Sequence, residues 1–183
     1  MISGIQNLMS PVGMDFLNAD ILAANSANSA ILTIPARDIL LILVSITGYT
    51  GGGGIGSLRF GGVAGAVDSG NNYNTRYLRI NAGANNNFTN VPTNTTNMLR
   101  LGSQAITLGR MVAVSSSNNA TTRKNIMIST CSEAGGVGVE PPIDIGQGLW
   151  GNTTQQIVSV QLTVTANQLT TGTTLQVYGR NSS

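Results

Sequence analysis

The stretch from Trp150 to Gly179, WGNTTQQIVSVQLTVTANQLTTGTTLQVYG, decides the fold class. Val158, Val160, Leu162 and Val164 fall on one face of an extended chain and Ser159, Gln161, Thr163 and Thr165 on the other. That period of two marks a strand with one buried face. After a polar connection, Asn167 to Gly172, Leu175 and Val177 alternate with Thr174, Gln176 and Tyr178 as a second strand. Strands with one solvated face need a second layer to cover the other, so the rest of the chain is expected to supply a second sheet.

Working outward, Ile31 to Ile34 leads through a corner at Pro35 to Asp38 into DILLILVSITGY. Ile39 to Val44 is apolar at every position, and its β-branched content and the exit at Gly48 favour a strand over a helix. One of its faces is expected to meet the opposite sheet. The other, carrying Leu41 and Leu43, must meet the N-terminal segment or another subunit. Shorter strands are expected at Ser57 to Phe60, Arg76 to Ile80, Met98 to Leu101, Ile106 to Val114 and Lys124 to Thr130, separated by long polar loops. Arg59, Arg79, Arg100 and Arg110 stand on these strands without acidic neighbours in sequence, so with Leu41 and Leu43 they are the candidate subunit interface. Trp150 is the candidate cap of the core.

No Asn-Gly or Asp-Gly dipeptide occurs, which removes the commonest tight-hairpin signal. The expectation is therefore an all-β, jelly-roll-like antiparallel β-sandwich with long loops, over residues 31–183. Residues 1–30 read as an N-terminal arm that tethers the chain to a neighbour: Met14, Leu17 and Ile21 form the stripe of a short helix, and NSANSA has linker composition.

Composition excludes several functions. Histidine is absent and cysteine occurs once, so imidazole chemistry, a zinc site and an internal disulfide are ruled out. Only 9% of residues are charged, against about 25% in an average soluble protein. The net charge of +2 comes from scattered cations, which does not suit nucleic acid. The longest apolar run is far below the roughly 20 residues that span a bilayer, and MISGIQNLMSPVGMDF lacks the pattern of a secretory signal. A cytoplasmic site of synthesis, no membrane partner and no cofactor are expected.

Four constellations invite a functional reading. GGGGIG at Gly51 to Gly56 satisfies a dinucleotide fingerprint but opens no helix, and GGVG at Gly135 to Gly138 reads likewise as loop. Glu140 and Asp144 are the only carboxylates within four positions of each other, but two prolines between them impose an extended backbone that need not converge them, so no enzyme activity is expected. Asp68, in AVDSGNNY, reads as an Asx-turn before a calcium ligand. Tyr73, Phe88 and Trp150 are the aromatics available to a sugar platform, the strongest rival use of such a sandwich.

Three blocks, DILLILVSITGY, LRFGGVAGAVDSGNNYNTRYL and GLWGNTTQQIVSVQLTVTANQLTTGTTLQVYGRN, resemble virion proteins of tailed bacteriophages with a jelly-roll sandwich. The last resembles the pattern W-x-N-T…I-x-S-[IV]-x-[LV]…G-[ST]-x-[LIV]-x-[LV]-[YW]-G. The middle one resembles L-R-F-N-G-D…N-Y, departing from it where Gly61 stands in place of Asn. The resemblance implies a structural protein on the capsid surface of a virion, decorating or cementing the shell as a homotrimer, with the major capsid protein and itself as partners. Such motifs also occur in tail and fibre proteins. The alternative it implies is therefore a receptor-binding module at a tail tip, where a glycan would be the ligand.

Overall fold

A computed structural model describes residues 13–51, 54–80, 88–96, 98–101, 109–132 and 143–182, the side chains of 79, 80, 88–96 and 132 excepted. The described residues contain no helix. They form β1 (Asp15–Ile21), β2 (Leu32–Thr33), β3 (Ile39–Ile46), β4 (Gly56–Gly61), β5 (Tyr73–Ile80), β6 (Phe88–Thr96), β7 (Leu99–Arg100), β8 (Gly109–Ser115), β9 (Lys124–Ser132), β10 (Ile143–Trp150), β11 (Ser159–Val164) and β12 (Thr174–Arg180). The strands build an unequal antiparallel sandwich. An eight-stranded sheet has the order β1-β12-β3-β8-β9-β10-β5-β6, and a four-stranded sheet the order β2-β11-β4-β7. Sequence neighbours pair only at β5–β6, β8–β9 and β9–β10, so most ladders are closed by long crossovers.

The core lies between the sheets. Leu40, Ile42, Val44 and Ile46 of β3 face Leu58 and Phe60 of β4 and Val160 and Leu162 of β11 across it, all buried. The alternation in β3 is strict: those four positions are buried and Ile39, Leu41, Leu43 and Ser45 are half-covered. The strand is therefore one-faced, and its outer apolar residues are only partly shielded within the chain.

β11 departs from expectation in the opposite sense. Its polar face is buried as well, with Ser159 and Thr163 nearly inaccessible. The loop after β4 lies over it, and residues 26–34 pair along its edge. The Ser159 hydroxyl donates to the Val63 carbonyl (2.8 Å) and accepts from the Gly65 N–H (3.1 Å), and Gln161 Nε2 donates to the Ser29 carbonyl (3.1 Å). Hydroxyl and amide groups can be covered at little cost when each finds a partner, and a periodicity of two does not show that cover.

The assignment of residues 1–30 to a separate arm needs correction from residue 15 onward; residues 1–12 lie outside the described part. Asp15–Ile21 is an edge strand paired with β12 from Asp15↔Gly179 to Ile21↔Thr174, and Leu22 belongs to the core. Phe16 packs edge-on against Tyr178 with ring centroids 5.5 Å apart. The spacing of Met14, Leu17 and Ile21 suits a helix, but an unpaired β12 edge offers a ladder of hydrogen bonds that a short isolated helix cannot match. A bulge between Phe16 and Asn18 and the charges of Asp15 and Asp20 blunt the free edge that β1 leaves.

β10 fell in an expected loop. Its Gly146 and Gly148 have a steric reason: a Cβ at 146 would collide with the Tyr77 ring, and one at 148 with Leu99. The strand is glycine-rich because large side chains from β5 and β7 press against its backbone.

Candidate functional site

The loop from Gly61 to Asn72 belongs to the block with the most distinctive sequence, and its residues are bound into one polar knot. Asp68 Oδ1 accepts the Gly70 N–H (2.8 Å), which is an Asx-turn. Its Oδ2 accepts from Asn72 Nδ2 (2.8 Å) and from the indole Nε1–H of Trp150 (2.9 Å). The Asp68 N–H donates to the Phe60 carbonyl (2.7 Å). The Tyr73 hydroxyl accepts the Phe60 N–H (2.9 Å) and directs its proton toward the Asp68 and Phe60 carbonyls, at 3.0 and 3.2 Å. Gly61 stands where the resembling pattern has Asn because a Cβ there would run into the carbonyl oxygen of Ala66.

Partial burial pushes the Asp68 carboxyl up, but the hydrogen bonds from Trp150, Asn72 and Gly70 outweigh it and leave the group below the ordinary carboxylate range. A depressed folded-state pKa stabilises above the unfolded value of about 3.9, and that stabilisation is lost as pH falls through the folded value. Asp68→Asn is therefore expected to be less stable than the native chain by about 1–2 kcal/mol at pH 7. The difference should shrink toward pH 3, as followed by thermal melting across that range. An equal difference at both ends would show that the charge does not contribute.

Trp150 is fully buried. Its ring lies 6.1 Å from that of Phe60 and carries the Lys124 ammonium 5.5 Å from its centroid. Lys124 is itself inaccessible. Burial pushes its pKa down, and its Nζ donates to the carbonyls of Thr122 and Asn152, both at 2.8 Å. These contacts place Trp150 inside the sandwich core. Tyr73 is fully buried too, so neither can stack on a sugar; the side chain of Phe88 lies outside the described part. Glu140 and the run Gly135 to Gly138 also lie outside it. Asp144 is buried on the inner face of the large sheet, opposite Arg79 in the β5–β10 ladder. No group of three or more potential metal-ligating side chains occurs among the described residues.

What the surface offers is apolar. Among the described residues, the exposed large hydrophobic side chains are Ile21, Val63, Leu78, Val112, Met127, Ile143 and Ile145. All but Val63 point outward from one face of the eight-stranded sheet. Leu43, Val112, Ser129, Ile145 and Leu78 form a continuous row across β3, β8, β9, β10 and β5. Beside it run Leu41, Val114, Met127, Gln147 and Arg76 on one side and Ser45, Arg110, Cys131 and Ile143 on the other. Met127 is the most exposed, at 67%. A shallow open depression of about 420 Å³ lies over β5 and β10, floored by Leu78 and Ile145 and flanked by Arg76 and Gln147.

Of the six interface candidates, the structure brings together Leu41, Leu43 and Arg110, which share this outer face. Arg59 and Arg100 belong to the small sheet on the other side of the sandwich, and Arg59 is not without partners. Arg79 stands on the inward-facing register of β5, its side chain outside the described part. The six therefore do not form one surface: Arg110 shares the outer face of the large sheet with the two leucines, whereas Arg59 and Arg100 share one face of the small sheet. Sequence reasoning missed Met127, Ile143 and Ile145. Met127 lies in the expected strand KNIMIST, whose alternation could have marked it as the outward member, whereas β10 was not expected to be a strand at all.

No protein family matches the chain, and no curated protein matches its sequence. Among solved structures, it is similar to the CBM2 module of the evolved Dit of Lactobacillus casei BL23 phage J-1. The identity is 9% over 95% of this chain and 93% of that one, with a TM-score of 0.32.

Proposed function

We propose that this chain is a non-enzymatic structural protein of a tailed-phage virion that acts by surface contact, coating the capsid shell with the major capsid protein and its own copies as partners. The observation that carries the contact reading is the gathering, on one open sheet face, of six of the seven exposed large hydrophobic residues found among the described residues. A contiguous apolar area of this kind marks an interaction site on a folded domain. The virion setting rests on the sequence blocks that resemble phage virion proteins. Burial of Tyr73 and Trp150 removes two of the three aromatics that a glycan-binding tail module would use, and so favours the shell over the tail tip.

Counting copies of the protein in purified particles tests this reading. A repeating shell site predicts copies on the order of hundreds, because each symmetry-related position is filled. A dozen or fewer would place the protein on the tail instead, and absence from the particle would overturn the virion setting altogether.

A further inference from the structure

We infer that the open face of the eight-stranded sheet is covered by the same face of a second copy of this chain, as an isologous pair about a twofold axis. The inference rests on reading this face as a contact surface and names what occupies it. Seven adjacent strands, β1 through β5 in sheet order, present it. At about 4.8 Å between strands and about seven residues of 3.4 Å each, the face measures roughly 800 Å². That matches the roughly 800 Å² per partner that a stable interface of standard size requires.

The chemistry of the face has the anatomy of an interface, with an apolar centre and a polar rim. The row from Leu43 to Leu78 is interrupted only by the Ser129 hydroxyl. Arg76 and Arg110, both exposed, flank it on opposite sides, where their guanidinium groups can reach solvent while their stems cover apolar surface. Asp15, Asp20 and Asp144 sit in register with Gly179, Leu175 and Thr130, on strand positions of the other face. Two sheet faces of the same twist pack on each other about 10 Å apart with strands inclined by about 30°, so the face is complementary in shape to its own copy. With only 9% of the chain charged, little repulsion keeps copies apart. A face that meets its own copy can do so only about a twofold axis, so the pair replaces the threefold assembly that the sequence resemblance implies.

The salt dependence separates self-pairing from an acidic partner. The cations of two paired faces repel weakly, so screening strengthens the pair, whereas a contact made to carboxylates weakens as salt rises. The mass of the full chain is measured in solution at micromolar concentration under reducing conditions, at low and high sodium chloride. The expected result is twice 18.9 kDa, with the paired fraction rising with salt. Met127→Glu combined with Ile145→Glu should weaken pairing by at least about a hundredfold. Its melting at concentrations where the native chain is also monomeric should be unchanged, since the native side chains are 67% and 49% exposed. A native chain that is monomeric at every salt, a threefold mass, or a pair that survives both glutamates would overturn the inference. A monomeric native chain whose double-glutamate variant loses binding to particles leaves the contact reading standing with another partner on the face. If that variant binds particles as the native chain does, both fall.

Discussion

Trp150→Ala is expected to lower the stability of the fold by about 3–5 kcal/mol, seen as a fall in the urea midpoint of the far-ultraviolet circular dichroism with little change in slope. Three losses coincide at this position. The fully buried indole leaves a cavity beside Phe60. Asp68 Oδ2 loses the Nε1–H donor that ties the loop after β4 to β10. The buried Lys124 ammonium keeps its two carbonyl acceptors but loses the ring face that shields it. Trp150→Phe separates these effects, since it keeps most of the volume and loses the donor, and should cost about 1–2 kcal/mol. If Trp150→Ala melted with the native chain, the residue would not be the centre of the core.

Asn118→Ala comes next, at about 3 kcal/mol. The side chain is fully buried and serves three backbone groups at once. Its Nδ2 donates to the carbonyls of Arg37 (2.9 Å) and Ile157 (3.1 Å), and its Oδ1 accepts the Ile157 N–H (2.6 Å). Together with the Asn118 N–H on the Asp38 carbonyl (2.7 Å), these bonds join the corner before β3, the loop after β8 and the approach to β11. Alanine leaves two acceptors and a donor unpaired in the interior, and water cannot enter without opening the corner. Asn119, its neighbour, only closes a surface turn through Thr121, so Asn119→Ala should cost about 0.5 kcal/mol. Equal melting temperatures for the two variants would contradict this assignment.

That pair of asparagines shows where sequence reasoning stops. Nothing in SSSNNATT distinguishes the residue that locks three segments from the one in solvent, because the difference lies in contacts 39 and 81 positions away along the chain. Strands with a regular period were legible: β3, β4, β9, β11 and β12 lie where alternation or a β-branched run puts them, and the all-β sandwich follows from them. β1 was hidden by a spacing that also suits a helix, β10 by glycines whose purpose is to admit Tyr77 and Leu99, and β6 by a polar sequence with Pro92, which an edge strand tolerates. Pairing order was not legible, since β12 joining β1 to β3 depends on long crossovers.

The outer apolar face was half legible for a related reason. The doubly apolar run of β3 pointed correctly to Leu41 and Leu43 as residues left over once the core is filled. The arginines were grouped by their shared lack of acidic neighbours in sequence, but the strands that carry them are divided between the two sheets. The outer face becomes visible only when β3, β8, β9, β10 and β5 are laid side by side, which brings Val112, Met127, Ile145 and Leu78 into one surface although 34 residues separate Leu78 from Val112 in sequence.

Cys131 gives the most direct test that this face is what the protein works through. It is the chain's single cysteine, exposed, and stands on the outer face between Arg110 and Ile143. Its alkylation rate is measured in intact particles and in the isolated Met127→Glu, Ile145→Glu chain as the uncovered standard. A covered face predicts alkylation in the particle slower by about tenfold or more, because reaction must wait for the contact to open. Equal rates would contradict the account.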